Sequence, residues 1–416
     1  MGKNNVVAVL VIDAMGLETL EYLLSKYGGK IKVPNLAAMG LGEIIKPGFA
    51  SRIGKKTDPG AYAARIEQAS ASADSVIGHR EMVGIIDDRT FNLFQGGFPP
   101  AYIKELEQRI GQKTIFNKMA GGIEAIELNA DEHSKTGCPI VYASKCDPLI
   151  QIAMDEAVIP VKKQHAIADT AFKLAMEMGI PVTRAIARAY VRKEDGEIVR
   201  TPNRHDAVLP METKTLVDML YERNVWTVAV GKTSELVNTN YHDKIKLTNR
   251  AFVDPALDFA FVHPKGKDTN PFSAQGVLNA MSAAKHSYRP NGTFIFANFV
   301  DTDSLYGHTR DVEGSLHSLE AADALLGVVL KTFRSGDMLI ITADHGMAHR
   351  SDYGYHNKED LALLVKRFGA KKPLGGLAEP SKKTLADVGW LTAQFFGCEK
   401  EFVSASGTGR FFGEGK

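Results

Sequence analysis

The stretch Phe294-Ile295-Phe296-Ala297-Asn298-Phe299-Val300-Asp301-Thr302-Asp303-Ser304-Leu305-Tyr306-Gly307-His308 decides the reading of this chain. It passes from a nearly unbroken apolar run into a pair of aspartates, then a glycine and a histidine. Apolar runs of this length belong to strands buried on both faces, as in parallel sheets covered by helices. Two other segments have the same form. Val6-Val7-Ala8-Val9-Leu10-Val11-Ile12 ends in Asp13, and Met338-Leu339-Ile340-Ile341-Thr342-Ala343 ends in Asp344-His345-Gly346. In an open α/β sheet, ligands bind in the crevice at the carboxyl ends of the strands. Segments far apart in sequence are therefore expected to bring carboxylates and imidazoles to one sheet edge.

Outward from these strands, Leu17–Leu24 has helical spacing, and 34–59 is rich in proline and glycine and reads as loop. Asp74-Ser75 precedes Val76-Ile77-Gly78-His79-Arg80-Glu81 and reads as a helix start. Gly96-Gly97-Phe98-Pro99-Pro100 reads as a boundary. Beyond it, short strands (139–143, 185–191) mix with helices (101–110, 169–178). The section closes on the densely polar Arg200-Thr201-Pro202-Asn203-Arg204-His205-Asp206, which reads as a structured functional loop. Helix and strand signals resume at 213–223 and 225–230. The first and last thirds share the aspartate-tipped strands, and the middle third does not. The expected architecture is α/β: a doubly wound core in two parts, 1–98 and 212–416, with an inserted α+β domain at 99–211. The glycine-rich tail, 404–416, reads as a closing loop or frayed end.

The bulk properties narrow the function classes. The 416 residues exceed one compact core. A hydrophobic share of 44% and a charged share of 24% are those of an ordinary globular protein. A net charge of +1, with lysine and arginine dispersed, gives no electrostatic case for nucleic acid. Cys138, Cys146 and Cys398 are an odd, sparse set without zinc-type spacing, which suits a reducing compartment better than a disulfide framework. The N-terminal apolar run stops at Asp13, too soon for a leader or a membrane span. A cytoplasmic enzyme without nucleic-acid, membrane or protein partners is the expectation.

Asp303 and His308 stand five residues apart beyond one strand, Asp344-His345 beyond another, and His356 follows after a polar loop. With Asp13 they make two ligand sets: Asp303, His308 and His356 for one divalent ion, and Asp13, Asp344 and His345 for a second. Mixed carboxylate and imidazole ligands suit Mn²⁺, Zn²⁺ or Fe²⁺ better than Ca²⁺. Spacing leaves two choices open, His349 against His356 and Asp301 against Asp303. A single strand-end aspartate is explained by helix capping; three of them with three histidines ask for more. Such a site is suited to phosphoryl transfer. Ser75 is the candidate nucleophile, since a metal stabilises its alkoxide and a helix N-terminus favours the phosphate. Its plainer role is that of a helix N-cap. Arg188, and Arg204 with His205, are the candidate grips on a phosphorylated substrate, because the guanidinium fork matches phosphate oxygens.

These residues resemble a family. The stretch from Asn298 to Asp311, Ile341-Thr342-Ala343-Asp344-His345-Gly346, Arg200–Asp206, Asn117-Lys118, and Gly78-His79 with Glu81 are similar to motifs of bacterial phosphopentomutases, within the wider alkaline phosphatase superfamily. The likeness runs from Val6 to the C-terminal region. It implies an alkaline-phosphatase-like core with a mobile cap, and Mn²⁺ at Asp13, Asp303, His308, Asp344, His345 and His356. It implies Ser75 as phospho-acceptor and substrate contacts from Asp147, Arg188 and Arg204. It also implies interconversion of ribose or deoxyribose 5-phosphate and 1-phosphate, primed by a sugar bisphosphate. The chain departs from the family at Ser75, usually threonine, at Ala73, usually lysine, and at Arg80, usually tryptophan. Ser75-Val76-Ile77-Gly78-His79 is closer to the serine motif of cofactor-independent phosphoglycerate mutase. The alternatives are a metal-dependent phosphatase, in which water takes the phosphate from Ser75, and a mutase acting on a different sugar phosphate.

Overall fold

A computed structural model describes residues 4–145, 147–211, 213–349, 354–380 and 382–405. Cys146 and the tail from 406 onward lie outside the described residues. The chain forms two compact units. One comprises Met1–Asp88 with Met211–Lys416, and the other is the continuous stretch Arg89–Pro210.

The discontinuous unit is built on a seven-stranded sheet. Its strand order is Asp243–Ile245, Trp226–Val230, Thr293–Phe299, Val6–Ile12, Met338–Thr342, Leu361–Arg367, Ala61–Ile66. The first five run parallel, and the last two pair antiparallel at one edge. All residues of Thr293–Phe299, Val6–Ile12 and Met338–Thr342 are buried, as their nearly unbroken apolarity requires. Pairing is in register, with Leu10 opposite both Ala297 and Ile341. The three strands therefore end level, and the aspartates that follow them leave from the same edge. Helices Leu17–Tyr27, Asn270–His286, Val312–Leu330 and Ala386–Phe396 belong to this unit. Each fully buried Leu, Ile or Phe contributes roughly 1.5–3 kcal/mol relative to exposure, and Leu10, Ile295, Phe296 and Leu339 all belong to this core.

Two features were not legible in the sequence. The proline- and glycine-rich 34–59 stretch folds into three short helices, Pro34–Ala38, Leu41–Ile44 and Pro47–Ile53. Proline at the first turn suits a helix start. The buried Asp323 carboxylate accepts from the Asn35 and Leu36 N–H groups at 3.2 and 2.7 Å. The antiparallel edge strands were also unforeseen, because Ala61-Tyr62-Ala63-Ala64-Arg65-Ile66 is alanine-rich and carries a weak β signal.

The continuous unit has a six-stranded sheet: Ile115–Ala120, Ile140–Ser144, Leu149–Asp155, Arg184–Arg192 and Ile198–Arg200 in order, with His205–Val208 also pairing against Arg184–Arg192. Its helices include Pro100–Ile110, Gly122–Thr136 and Val161–Glu177. The Gly96–Pro100 stretch lies inside this unit and is not a linker. Asn92 N–H donates to the Pro181 carbonyl at 3.2 Å, and the Asn117 amide brackets Phe98 N–H and C=O at 2.8 and 2.9 Å. Among the described residues, no helix is long and apolar enough to cross a membrane.

One close approach ties the fold to the strand ends. The Ser75–Met82 helix packs so tightly on Asp344 that a Cβ at Gly78 would lie 2.8 Å from both the Cβ and the carbonyl carbon of Asp344. Neither is the far end of a flexible side chain. Gly78→Ala should therefore destabilise the protein by about 1–3 kcal/mol, the usual cost of overpacking. A chemical denaturation midpoint equal to that of the parent would contradict this packing.

Candidate active site

Asp13 follows the Val6–Ile12 strand and continues its pairing, its N–H donating to the Phe299 carbonyl at 3.0 Å. Next, Ala14 takes a left-handed φ of 57°, which sends its N–H to Asp344 Oδ1 at 3.1 Å. Asp303 sits in a π-helical turn, Thr302–Gly307, of the kind that gathers at functional sites. Asp344 and His345 leave the Met338–Thr342 strand and are completely buried. His356 opens the two-residue strand that pairs Gly346–Met347.

These groups converge. Asp303, His345 and His356 offer ligand atoms within 4.8 Å of one another, and so do Asp13, Asp344 and His345. His356 Nε2 is 3.2 Å from Asp303 Oδ1, and His308 Nε2 is 3.5 Å from the same oxygen. The His345 and His356 rings stack with centroids 3.8 Å apart, and His308 lies 5.2 Å beyond His356. Ser75 Oγ stands where the two groups meet, 3.1 Å from His345 Nε2 and 3.4 Å from Asp13 Oδ1. Ser75 does not cap its helix. Asp74 does, accepting from Val76 N–H at 2.8 Å. The serine hydroxyl is thereby left for other work at the first helical position.

The alternatives that spacing left open separate clearly in space. Asp301 accepts from Thr269 N–H, Thr269 Oγ1 and Asn270 N–H at 2.9, 2.7 and 2.7 Å, which fastens the start of the Asn270–His286 helix. His349 stacks on Tyr22 with centroids 5.7 Å apart. Burial, with the Arg310 charge, pushes the His349 imidazolium down to about 4.

Two further residues belong here to which sequence reasoning gave no role. His79 is fully buried, with Nδ1 2.8 Å from the Ser75 carbonyl oxygen and 3.2 Å from Asp344 Oδ2. Its position four residues after Ser75, on the same helix face, was the available signal. Asn298 donates to Asp13 Oδ2 at 2.9 Å, and its signal was one amide inside an apolar strand. Arg80, a departure from the family pattern, is buried, and its Nε donates to the Leu236 carbonyl at 3.2 Å.

The electrostatics follow from burial. Burial pushes the Asp13 carboxyl above its ordinary range, and the Asp344 and Asp303 charges push it further. Burial acts the same way on Asp303 and Asp344 but is outweighed. His308, His356 and His345 hold Asp303 below the carboxylate range, as His345 and His79 do for Asp344. The oxygen and nitrogen donors fit divalent cations, which supply the positive charge that three buried carboxylates need.

Each predicted substrate residue lies in the continuous unit. Arg188, on Arg184–Arg192, donates from Nε to Gln151 Oε1 at 2.8 Å. Arg204 forks onto Asp206 with both contacts at 2.5 Å. His205 Nε2 is 2.7 Å from Asp169 Oδ1, and its ring stacks on His165. Asp147 occupies the turn before Leu149–Asp155, its N–H donating to Ser144 Oγ at 3.3 Å.

Asp303→Ala should lower bound divalent metal measured by plasma mass spectrometry. Asp301→Ala should keep the metal but cost about 1–3 kcal/mol through buried donors left unsatisfied. The reverse pattern would move the ligand role to Asp301.

A family model described as the metalloenzyme superfamily matches residues 6–400. The phosphopentomutase of Dictyoglomus thermophilum is 34% identical over 394 residues, which is 94% of this chain and 91% of that protein. Among solved structures, a protein of Pyrococcus horikoshii is similar at 14% identity and a TM-score of 0.46, covering 96% of this chain and 98% of that one. Leishmania mexicana phosphoglycerate mutase, crystallised at low cobalt concentration, is similar at 12% identity and a TM-score of 0.42, over 95% of this chain and 96% of that one. With the family model and the Dictyoglomus relative both spanning nearly its whole length, the chain belongs to the phosphopentomutase family of the metal-dependent alkaline phosphatase superfamily.

Proposed function

We propose that this chain is a phosphopentomutase that interconverts the 1- and 5-phosphates of ribose or deoxyribose through phospho-Ser75. The observation that carries the reading is the Ser75 hydroxyl lying 3.4 Å from Asp13 and 3.1 Å from His345, the histidine that also clusters with Asp303 and His356. The proposed ligands are Asp303, His308 and His356 for one Mn²⁺ and Asp13, Asp344 and His345 for the other. When bound, the ions supply positive charge that favours the Ser75 alkoxide and spreads the charge of a phosphoryl group.

The chain's own residues do the rest. Asp74 caps the helix start, so that Ser75 presents its oxygen at the positive end of the helix dipole. Buried His79 ties the Ser75 carbonyl to Asp344 and holds the helix to the strand end. In the forward step the phosphorus–Oγ bond of phospho-Ser75 breaks, a bond forms to the free sugar hydroxyl, and that hydroxyl's proton is released. The resulting sugar bisphosphate turns over and returns its other phosphoryl group to Ser75, and the product alkoxide regains a proton. A trace of bisphosphate is needed to phosphorylate Ser75 at the outset. Asp147, Arg188, Arg204 and His205 are the proposed substrate-binding side chains, with the arginines gripping phosphate.

The test follows ribose 5-phosphate by phosphorus NMR with purified protein, Mn²⁺ and a trace of glucose 1,6-bisphosphate. Ribose 1-phosphate accumulating to equilibrium is expected. Inorganic phosphate accumulating instead would make the chain a phosphatase, with water as acceptor. Ser75→Ala should abolish turnover at unchanged metal content, and retained activity in that variant would remove Ser75 from the mechanism.

A further inference from the structure

We infer that Arg200 is a third phosphate-binding residue of the continuous unit, completing with Arg188 and Arg204 a cradle for a phosphate monoester dianion. The inference rests on the reading above that the substrate is a phosphorylated sugar. In the sequence Arg200 opens the polar, family-like stretch Arg200–Asp206 but carries no role of its own.

The cradle is assembled across neighbouring strands. Tyr142 and Gln151 face each other on adjacent antiparallel strands, and Arg188 lies on the next strand, two positions beyond Gln151's partner Ile186. The Tyr142 hydroxyl donates to Gln151 Oε1 at 3.0 Å, and Arg188 Nε donates to the same oxygen at 2.8 Å. Tyr142 is fully buried and Gln151 nearly so. Arg188 is thus held by Nε, and the described residues offer its guanidinium no carboxylate within ion-pair distance. Arg204 is fixed by its fork onto Asp206.

Arg200 is placed by a missing side chain. Gly122 is the first residue of the Gly122–Thr136 helix, and a Cβ there would lie 3.1 Å from Arg200 Cζ and 3.1 Å from the Tyr142 hydroxyl. Only glycine lets the guanidinium rest on this backbone. The placement is electrostatically adverse. A cation is disfavoured at a helix N-terminus, and the charges of Arg204 and Arg200 add to burial in holding Arg188 down to about 10. The first-turn acid, Glu124, is engaged by Gly121 N–H at 3.0 Å and by Lys145 at 2.7 Å. Among the described residues Asp206 is the one carboxylate paired with the group, and it also lies 4.0 Å from Arg184. Like charges brought together by hydrogen bonds and a glycine, with Arg200 and Arg204 open to solvent and to a ligand, call for a polyanionic ligand. Arginine forks and a helix N-terminus match the oxygens of a phosphate ester. Tyr142 and Gln151 act through the arginines and are positioning residues.

The experiment compares the metal-loaded full-length chain with Arg200→Gln, Arg200→Lys and Gly122→Ala, reading kcat and KM for ribose 5-phosphate. Arg200→Gln should raise KM about 10- to 100-fold, as loss of a charge-assisted hydrogen bond does, with kcat within a few-fold and an unchanged melting midpoint. Arg200→Lys should recover part of the loss, since a point charge remains but the fork is gone. Gly122→Ala should raise KM in the same direction. A KM unmoved in Arg200→Gln overturns the inference. A parent chain that turns over no pentose phosphate would overturn the mutase reading instead. Calorimetric titration with ribose 5-phosphate and with inorganic phosphate then decides the cradle alone. Affinity for the ester that falls in Arg200→Gln upholds it; isotherms that match the parent's, or no binding by the parent, overturn it.

Discussion

Repulsion among three carboxylates in the protein interior is the constraint on which the rest of this structure depends. Asp13, Asp303 and Asp344 are almost inaccessible to water and close enough to perturb one another's protonation. Unpaired charges in such surroundings would be far too costly for a fold of ordinary stability. Imidazoles answer part of the cost: His345 and His79 beside Asp344, His356 and His308 beside Asp303. Divalent cations answer the remainder. The sheet that carries these groups and the chemistry proposed for them are thus two aspects of one arrangement. The parallel strands end level because their pairing is in register, and the level ends concentrate negative charge.

Much of this was legible in the sequence, for a definite reason. Strands buried on both faces are apolar throughout, so the aspartates that end them stand out, and parallel pairing gathers those ends. The α/β class and the convergence of Asp13, Asp303, Asp344, His345 and His356 follow from that pattern. Other features lacked such a signal. Asp301 and Asp303 are equivalent by spacing, and only the π-helical turn after the strand gives one to the Asn270–His286 helix and the other to the histidines. His349 and His356 share a polar loop, and the short pairing of Gly346–Met347 with His356–Asn357 separates them. Arg80, where the family usually has tryptophan, gives no sign in the sequence that it is buried against the Leu236 carbonyl. His79 and Asn298 could have been found from helix spacing and from one polar residue in an apolar run.

The two units use charge in opposite ways. The discontinuous unit gathers buried carboxylates at strand ends, where cations are the natural complement. The continuous unit gathers guanidiniums around Tyr142, where an anion is. A net charge of +1 for the whole chain conceals both concentrations. Bulk charge is an argument about solubility and non-specific binding, and here it says nothing about the two local fields that matter.

The nearly continuous apolarity of Thr293–Phe299 has one more consequence. A strand of alternating polarity resists slipping by one residue, because a slip would turn its greasy face to water. A strand greasy on both faces has little such alarm, here only Asn298, which donates to Asp13. Its phase is policed from the ends, where Asp301 grips the first turn of the next helix and the Asp13 N–H meets the Phe299 carbonyl. Deleting a single residue from the strand would leave most of it apolar and buried while putting Thr302 at the post of Asp301 and Ser304 at that of Asp303. Inheritance of the site is therefore inheritance of a reading frame within the strand, down to one residue.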